Sequence, residues 1–382
     1  MRVGLKTRIF HLFCIAGVLA LSSCAGAGKF FPPPCTTNCN PTNSGNYIYV
    51  GNSSTAVSSV AGFSITTTPA VNALTNSPFA TGLPPNTLAI TPKNTFLYVG
   101  SISGGIYAYT INGDGTITVA NGGSPVATGV SPITMKVDPT GQWLLAADVS
   151  PSTYVFGINA STGALTTQGN AVGLDQGNVS NLYITPNGQY VFVSLGTGGV
   201  DILTFNSTTG VITKLNQILT PKGSSNGDIG LGSDPLSKYL FVTETGINSV
   251  RVLNINTTGS SVLTELATSP TATGLGPSQV LVTKDGSYVY VTNRTDGTIS
   301  GFTLAANGAL TALSGSPYTT GSAPVDITED TTHTYIAVAC AGGNPDMQVF
   351  KIDTTTPGKL DAFASKTTGT DPTLASTIVS TN

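Results

Sequence analysis

Charge is scarce in this chain. Only 9% of its 382 residues are Asp, Glu, Lys or Arg, and it holds 2 His, 1 Trp and 3 Met. So little Glu and Lys excludes a coiled coil, and 40% hydrophobic residues exclude a disordered tail. No basic block exists beyond the extreme N-terminus, so nucleic acid is not an expected partner. No Cys/His cluster has the spacing of a transition-metal site, so no such metal and no cofactor is expected, and an oxygen-ligated calcium ion in a channel stays open as an alternative that no spacing supports. There is no G-x-S-x-G elbow. Past the first 23 residues the single histidine is His333, in "EDTTHTY", which leaves a Ser-His-Asp triad hard to assemble.

One long apolar run exists, and it is short. Ile9 to Leu21 spans 13 residues behind Arg2, Lys6 and Arg8, too few to cross a bilayer and the right length for the apolar region of a signal peptide. It ends in Leu21-Ser22-Ser23-Cys24, the form of a bacterial lipobox, with Cys24 as the residue to be lipidated and a membrane as the partner that follows. An ordinary signal peptide with a Cys near its end is the alternative. Two or more acyl chains would hold the protein stably at a membrane. Loss of residues 1–23 removes three basic residues and leaves twelve against eighteen acidic, a net charge of −6. Cys35 and Cys39, in "PPPCTTNCNPTNSG", suit a small disulfide in an oxidising envelope, and a C-x3-C metal pair has no further ligands to complete it. Cys340, in "YIAVAC", reads as a small buried apolar residue. Residues 24–45, rich in Pro, Asn, Thr and Gly, read as a lipidated tether.

What the chain has in quantity is Gly (45), Pro (23), Thr, Ser and Asn, a composition for short strands and tight turns. Those strands repeat. "YIYVGN" from Tyr47 returns as "FLYVGS" from Phe96, "WLLAAD" from Trp143, "YVFVSL" from Tyr190, "YLFVTE" from Tyr239, "YVYVTN" from Tyr288 and "YIAVAC" from Tyr335. The starts lie 49, 47, 47, 49, 49 and 47 residues apart. Upstream of the later copies runs a strand ending in a turn, such as "MKVDPTG" or "LYITPNG". Downstream come a third strand and an Asn/Gly turn, as in "NGDGTIT", into a fourth. That turn lacks the further acidic positions of a calcium loop. Four short antiparallel strands in about 48 residues make one propeller blade.

The chain ends complement each other. No upstream strand precedes Tyr47, while "DPTLASTIVSTN" from Asp371 supplies such a strand with nothing after it. The expected fold is all-β: a seven-bladed propeller over residues 46–382, closed by the C-terminal strand joining the N-terminal blade, which leaves no open sheet edge. A monomer is expected.

The "YVYVTN" signature and the blade layout resemble YVTN-repeat propellers and the seven-bladed β-propeller lactonase family, which includes 6-phosphogluconolactonase-like proteins. The resemblance covers residues 46–382 and rests on strand and turn residues. It implies hydrolysis or formation of sugar-type lactones by ionisable side chains around the central channel. No catalytic motif carries over position by position.

Comparison among the seven copies offers site residues instead. Columns that keep Tyr, Val, Ile or Gly are scaffold, and columns that change chemistry are free for function. The sixth residue of the repeated strand reads Asn52, Ser101, Asp148, Leu195, Glu244, Asn293 and Cys340. A mid-strand column of the preceding strand includes Ala89, Lys136, Tyr183, Leu281 and Asp326. Asp148 and Glu244 are thus the expected general bases, with Arg294 as a catalytic cation. Asn52, Lys136, Tyr183, Arg251, Asn293 and Asp326 are the expected substrate contacts. A propeller entrance is polar in any case, so this set also fits a structural lining. Three functions follow: an exported lactonase acting on an unphosphorylated lactone or related ester, a binding module for a glycan or envelope protein, or a surface scaffold. The few cations and the export signal argue against a phosphorylated substrate.

Overall fold

The computed structural model describes residues 45–53, 58–66, 70–222, 228–368 and 375–382. The proposed signal peptide and nearly all of the tether, with Cys24, Cys35 and Cys39, lie outside them. Among the described residues no helix is long and apolar enough to cross a membrane.

Seven antiparallel sheets form, each running inner, second, third and outer strand. The repeated motif is the second strand throughout. Blade 2 shows the pattern with Thr87–Ile90, Phe96–Ser101, Gly105–Ile111 and Ile117–Val119. In blade 1 the inner strand is Ala375–Ser380, paired with Tyr47–Asn52, so the two ends of the chain share one sheet. The seam is tied further by backbone and side chain. Tyr47 N donates to Thr381 Oγ1 at 3.0 Å, Thr381 N donates to Tyr47 O at 2.9 Å, and Asn52 Nδ2 donates to Thr368 O at 2.7 Å. Each inner strand packs beside the inner strands of its neighbours, so the seven ring a central channel.

The second strands are buried along nearly their full length because each lies between two neighbouring blades. The core is accordingly a set of layers between blades. Ile48 and Val50 pack with Tyr335, Ala337 and Ala339 across the seam, and Tyr49 and Val60 pack with Leu97 and Val99 on the other side. The repeated aromatics have a further role. Tyr49 Oη donates to Gly115 O (2.7 Å), Tyr98 Oη to Gly163 O (3.0 Å) and Tyr290 Oη to Gly358 O (2.7 Å), each in the turn before an outer strand of the next blade. Trp143 Nε1 reaches Ser207 O of blade 4 at 2.7 Å. The turn beneath it needs Gly210, which has φ +71° and where a Cβ would sit 2.5 Å from the indole ring.

The turns from inner to second strand are closed by one buried acceptor each. Asp138 takes hydrogen bonds from Thr140 N, Thr140 Oγ1, Gln142 N and Trp143 N, and Asp234 and Asp330 act alike in blades 5 and 7. Thr91, Thr185 and Thr283 do this in blades 2, 4 and 6 through Oγ1. The following left-handed position is Asn94, Gly141, Gly188, Ser237, Gly286 and, in blade 7, His333.

Candidate functional site

Strand register fixes which side chains meet at the channel. The third residue of each second strand pairs with Val379, Ala89, Lys136, Tyr183, Gly232, Leu281 and Thr328 in turn round the ring. All of these but Gly232 line two adjoining cavities of about 280 and 360 Å³, which share Ile90, Lys136, Val137 and Asn382. The cavities lie toward the C-terminal ends of the inner strands. The mid-strand column expected from sequence therefore faces the channel, with one correction. Thr328, which like Lys136, Tyr183 and Leu281 stands seven residues before the start of its second strand, pairs with the third residue of that strand, and Asp326 sits two residues before it, opposite Ala339.

Lys136 projects into both cavities, and no hydrogen-bond acceptor among the described residues meets its ammonium. Asp326 is half-buried and bridges blades 7 and 1, its carboxylate accepting from Ile378 N at 2.9 Å and Thr377 Oγ1 at 3.1 Å. Burial pushes its carboxyl up, against the pull of the Lys136 charge and these hydrogen bonds. Tyr183 is half-buried on the wall of the larger cavity, near Ser233 Oγ at 3.4 Å, and burial raises its hydroxyl.

Two residues that sequence comparison passed over, Glu329 and Lys284, line the smaller cavity, and His333 contacts Glu329 from the adjoining turn. Glu329, 3% exposed, lines the smaller cavity. Its Oε2 accepts from Lys284 N at 2.7 Å, and its Oε1 lies 3.1 Å from His333 Nδ1. Burial pushes the Glu329 carboxyl up, opposed by the Lys284 amide and the charges of His333 and Lys284. Lys284 opens into the cavity beside Lys136. Lys284 is exposed to solvent there, and the protein atoms packed around it lower its amine, with Glu329 and Asp330 pulling the other way. His333 is half exposed and occupies φ 56°, the left-handed position that the other turns give to Gly, Asn or Ser. A histidine there costs about 1–2 kcal/mol of backbone strain, and such an outlier points to a role for the side chain. The column of turn residues held that signal.

The other column lies elsewhere. Asn52, Asp148, Glu244 and Asn293 are all at most 4% exposed. Each sits where a connector enters its blade. Asp148 accepts from Ser131 N (3.3 Å) and Ser150 N (2.6 Å). Glu244 accepts from Lys222 N (3.2 Å) and pairs with Arg251 at 2.8 Å, while Arg251 also bonds Thr220 O and Glu265. Asn52 bonds Thr368, and Asn293 Nδ2 donates to Thr298 Oγ1 and Ser300 Oγ, the latter accepting from Gly274 N of the incoming connector. Arg294 is exposed at the opposite end of the channel. It lines a separate pocket of about 540 Å³ with Thr245, Asn248 and Ser278. The structure thus brings Lys136, Tyr183 and Asp326 together and sets Arg294 apart from them. Cys340 is fully buried, and burial pushes its thiol up to about 11.

The strand pairing defines a closed seven-bladed propeller of antiparallel blades, with ionisable side chains on the cavities at one end of its inner strands. The sequence profile of the Lactonase, 7-bladed beta-propeller family matches residues 43–377, and the chain belongs to that family. No curated protein matches it. Among solved structures, a protein from Lactobacillus plantarum is similar at 22% identity and TM-score 0.71, covering 88% of this chain and 100% of its own. A periplasmic gluconolactonase of Pseudomonas aeruginosa is similar at 17% identity and TM-score 0.68, covering 89% and 99%.

Proposed function

We propose that the protein is an exported, lipid-anchored lactonase that hydrolyses an unphosphorylated lactone in the channel cavity next to Lys136. The observation that carries this reading is the meeting, on one cavity, of a cation without a hydrogen-bond acceptor and a buried carboxylate paired with a histidine. Family membership and the periplasmic gluconolactonase among its structural relatives support it.

The chemistry needs a base, an oxyanion partner and a proton return. Glu329 holds the Nδ1 side of His333, fixing the ring and offsetting the charge it gains, which leaves Nε2 to accept a proton from water. The hydroxide oxygen forms a bond to the lactone carbonyl carbon, and Lys136 stabilises the negative oxygen that results. As the carbon–ring-oxygen bond breaks, the imidazolium returns its proton to the departing alkoxide, giving the hydroxy acid. Asp326 acts on Lys136 by position and charge, and Tyr183 offers a hydroxyl to the substrate. Asp148, Glu244, Asn52, Asn293 and Arg251 hold the connectors. The test is a hydrolysis assay on a panel of lactones. Turnover reduced at least a hundredfold in Lys136→Met, with an unchanged melting curve, supports the assignment, and turnover of no lactone above buffer overturns it. Anchoring rests on Leu21-Ser22-Ser23-Cys24. A Cys24→Ser chain that still partitions into membranes excludes it.

A further inference from the structure

Building on the lactonase reading, we infer that Thr328 selects a lactone carrying a free ring hydroxyl, which it reads as a hydrogen-bond donor. The observation is the direction of a chain of hydrogen bonds on the wall of the smaller cavity. Thr328 and Ser380, from the inner strands of blades 7 and 1, both line that cavity and are half-buried. Ser380 Oγ lies 2.6 Å from Glu329 O, a carbonyl, so the hydrogen between them belongs to Ser380. A serine hydroxyl has one hydrogen, and it is engaged there. Thr328 Oγ1 lies 3.0 Å from Ser380 Oγ, so the hydrogen of that contact comes from Thr328. The Thr328 hydrogen is then engaged as well, and its oxygen keeps only lone-pair capacity for the cavity.

A free threonine hydroxyl turns to suit either kind of partner, but here its neighbours hold it in one orientation. It accepts from a ligand and does not donate. A ligand O–H extends the chain through Thr328 and Ser380 to Glu329 O, each bond polarising the next. An ether oxygen, a carbonyl or a fluorine in that place sets lone pair against lone pair. Among the described residues on this cavity, no other side chain carries a hydroxyl, and much of the wall is apolar: Ala89, Ile90, Val137, Leu281 and Val379. The chain also ends on the residue whose carboxylate lies 3.1 Å from His333 Nδ1. Thr328, which reads the substrate, and Glu329, which holds the proposed base, are therefore adjacent on one strand.

The experiment measures kcat/KM of the full-length protein on an aldonolactone and on its deoxy and deoxyfluoro counterparts, taking each ring hydroxyl in turn. Fluorine keeps the lone pairs and nearly the size of the hydroxyl but has no hydrogen to donate. The expected result is one position at which both replacements lower kcat/KM at least tenfold. Thr328→Val lowers it as much on the parent lactone and adds less than threefold to the deoxy lactone, because the two changes remove one contact. Thr328→Ser keeps at least a third of the parent value. Ser380→Ala frees the Thr328 hydrogen to turn into the cavity and narrows the gap between hydroxy and fluoro lactones at least threefold. Losses under threefold at every position, a Thr328→Val loss that multiplies with the deoxy loss, or an unchanged gap in Ser380→Ala overturns the inference. Calorimetric binding of the matching hydroxylated lactams, which resist hydrolysis, is measured in parallel. Lactam binding that needs the same hydroxyl and Thr328, without turnover of any lactone, keeps the inference and removes the lactonase reading. Lactone turnover indifferent to every ring hydroxyl does the reverse, and neither binding nor turnover overturns both.

Discussion

At the residue scale, one buried acceptor per turn carries much of each blade's local order. Asp138 is fully buried and receives four hydrogen bonds. Replacing it by Ala removes the shared acceptor of three backbone amides in that part-buried turn, at a cost on the order of 1–3 kcal/mol. Asp138→Ala should therefore lower the midpoint of urea unfolding clearly, while Asp138→Asn recovers part of the loss. The same scale shows what could be read from sequence. Turn residues such as Gly210 were legible because a left-handed backbone selects them by type. The sixth-position column was misleading because each connector enters its blade by a different route. Asp148 meets the Ser131 amide of its connector, Glu244 an amide and a guanidinium, and Asn52 a Thr368 brought in by ring closure. Variation in chemistry there records variation in buried partners. His333 went the other way: Glu329 stands four residues before it in "EDTTHTY", but only the fold of the turn shows that the two side chains meet.

Among the elements, the third strand of blade 4 (Val200–Asn206) offers a pH-dependent contact. Asp201 is fully buried and accepts from Asp175 N at 2.8 Å, with Lys214 Nζ 3.7 Å from its other oxygen. Burial, with the nearby Asp175 carboxylate adding to it, pushes Asp201 up to about 6 from 3.8. The folded state thus holds this proton more tightly than the unfolded chain does. Asp201 favours folding most at low pH, and that contribution is lost as pH rises from about 4 through 6. Denaturant midpoints at pH 4.5 and 7.5 should shift less in Asp201→Asn than in the parent, and an equal shift in both contradicts the assignment. Strand existence was legible from the repeat. Register was legible as well, because Ala89, Lys136, Tyr183, Leu281 and Thr328 each stand seven residues before the start of a second strand, and Asp326 stands nine before it.

For the whole molecule, ring closure and the site are one arrangement. The C-terminal strand completes blade 1 and also supplies Ile378, Val379 and Ser380 to the cavity wall, so the site exists only when the ring is shut. The channel has two differently furnished ends, with Arg294 and the buried connectors at one and Lys136, Lys284, Glu329 and His333 at the other. The most direct measurement is kcat/KM for lactone hydrolysis in His333→Asn beside Arg294→Gln. Asparagine suits the left-handed turn, as Asn94 does in blade 2, so His333→Asn changes the chemistry and spares the fold. The account predicts a loss of at least a hundredfold in His333→Asn and less than threefold in Arg294→Gln. A large loss in Arg294→Gln with His333→Asn near the parent would place the chemistry at the other end of the channel and contradict it.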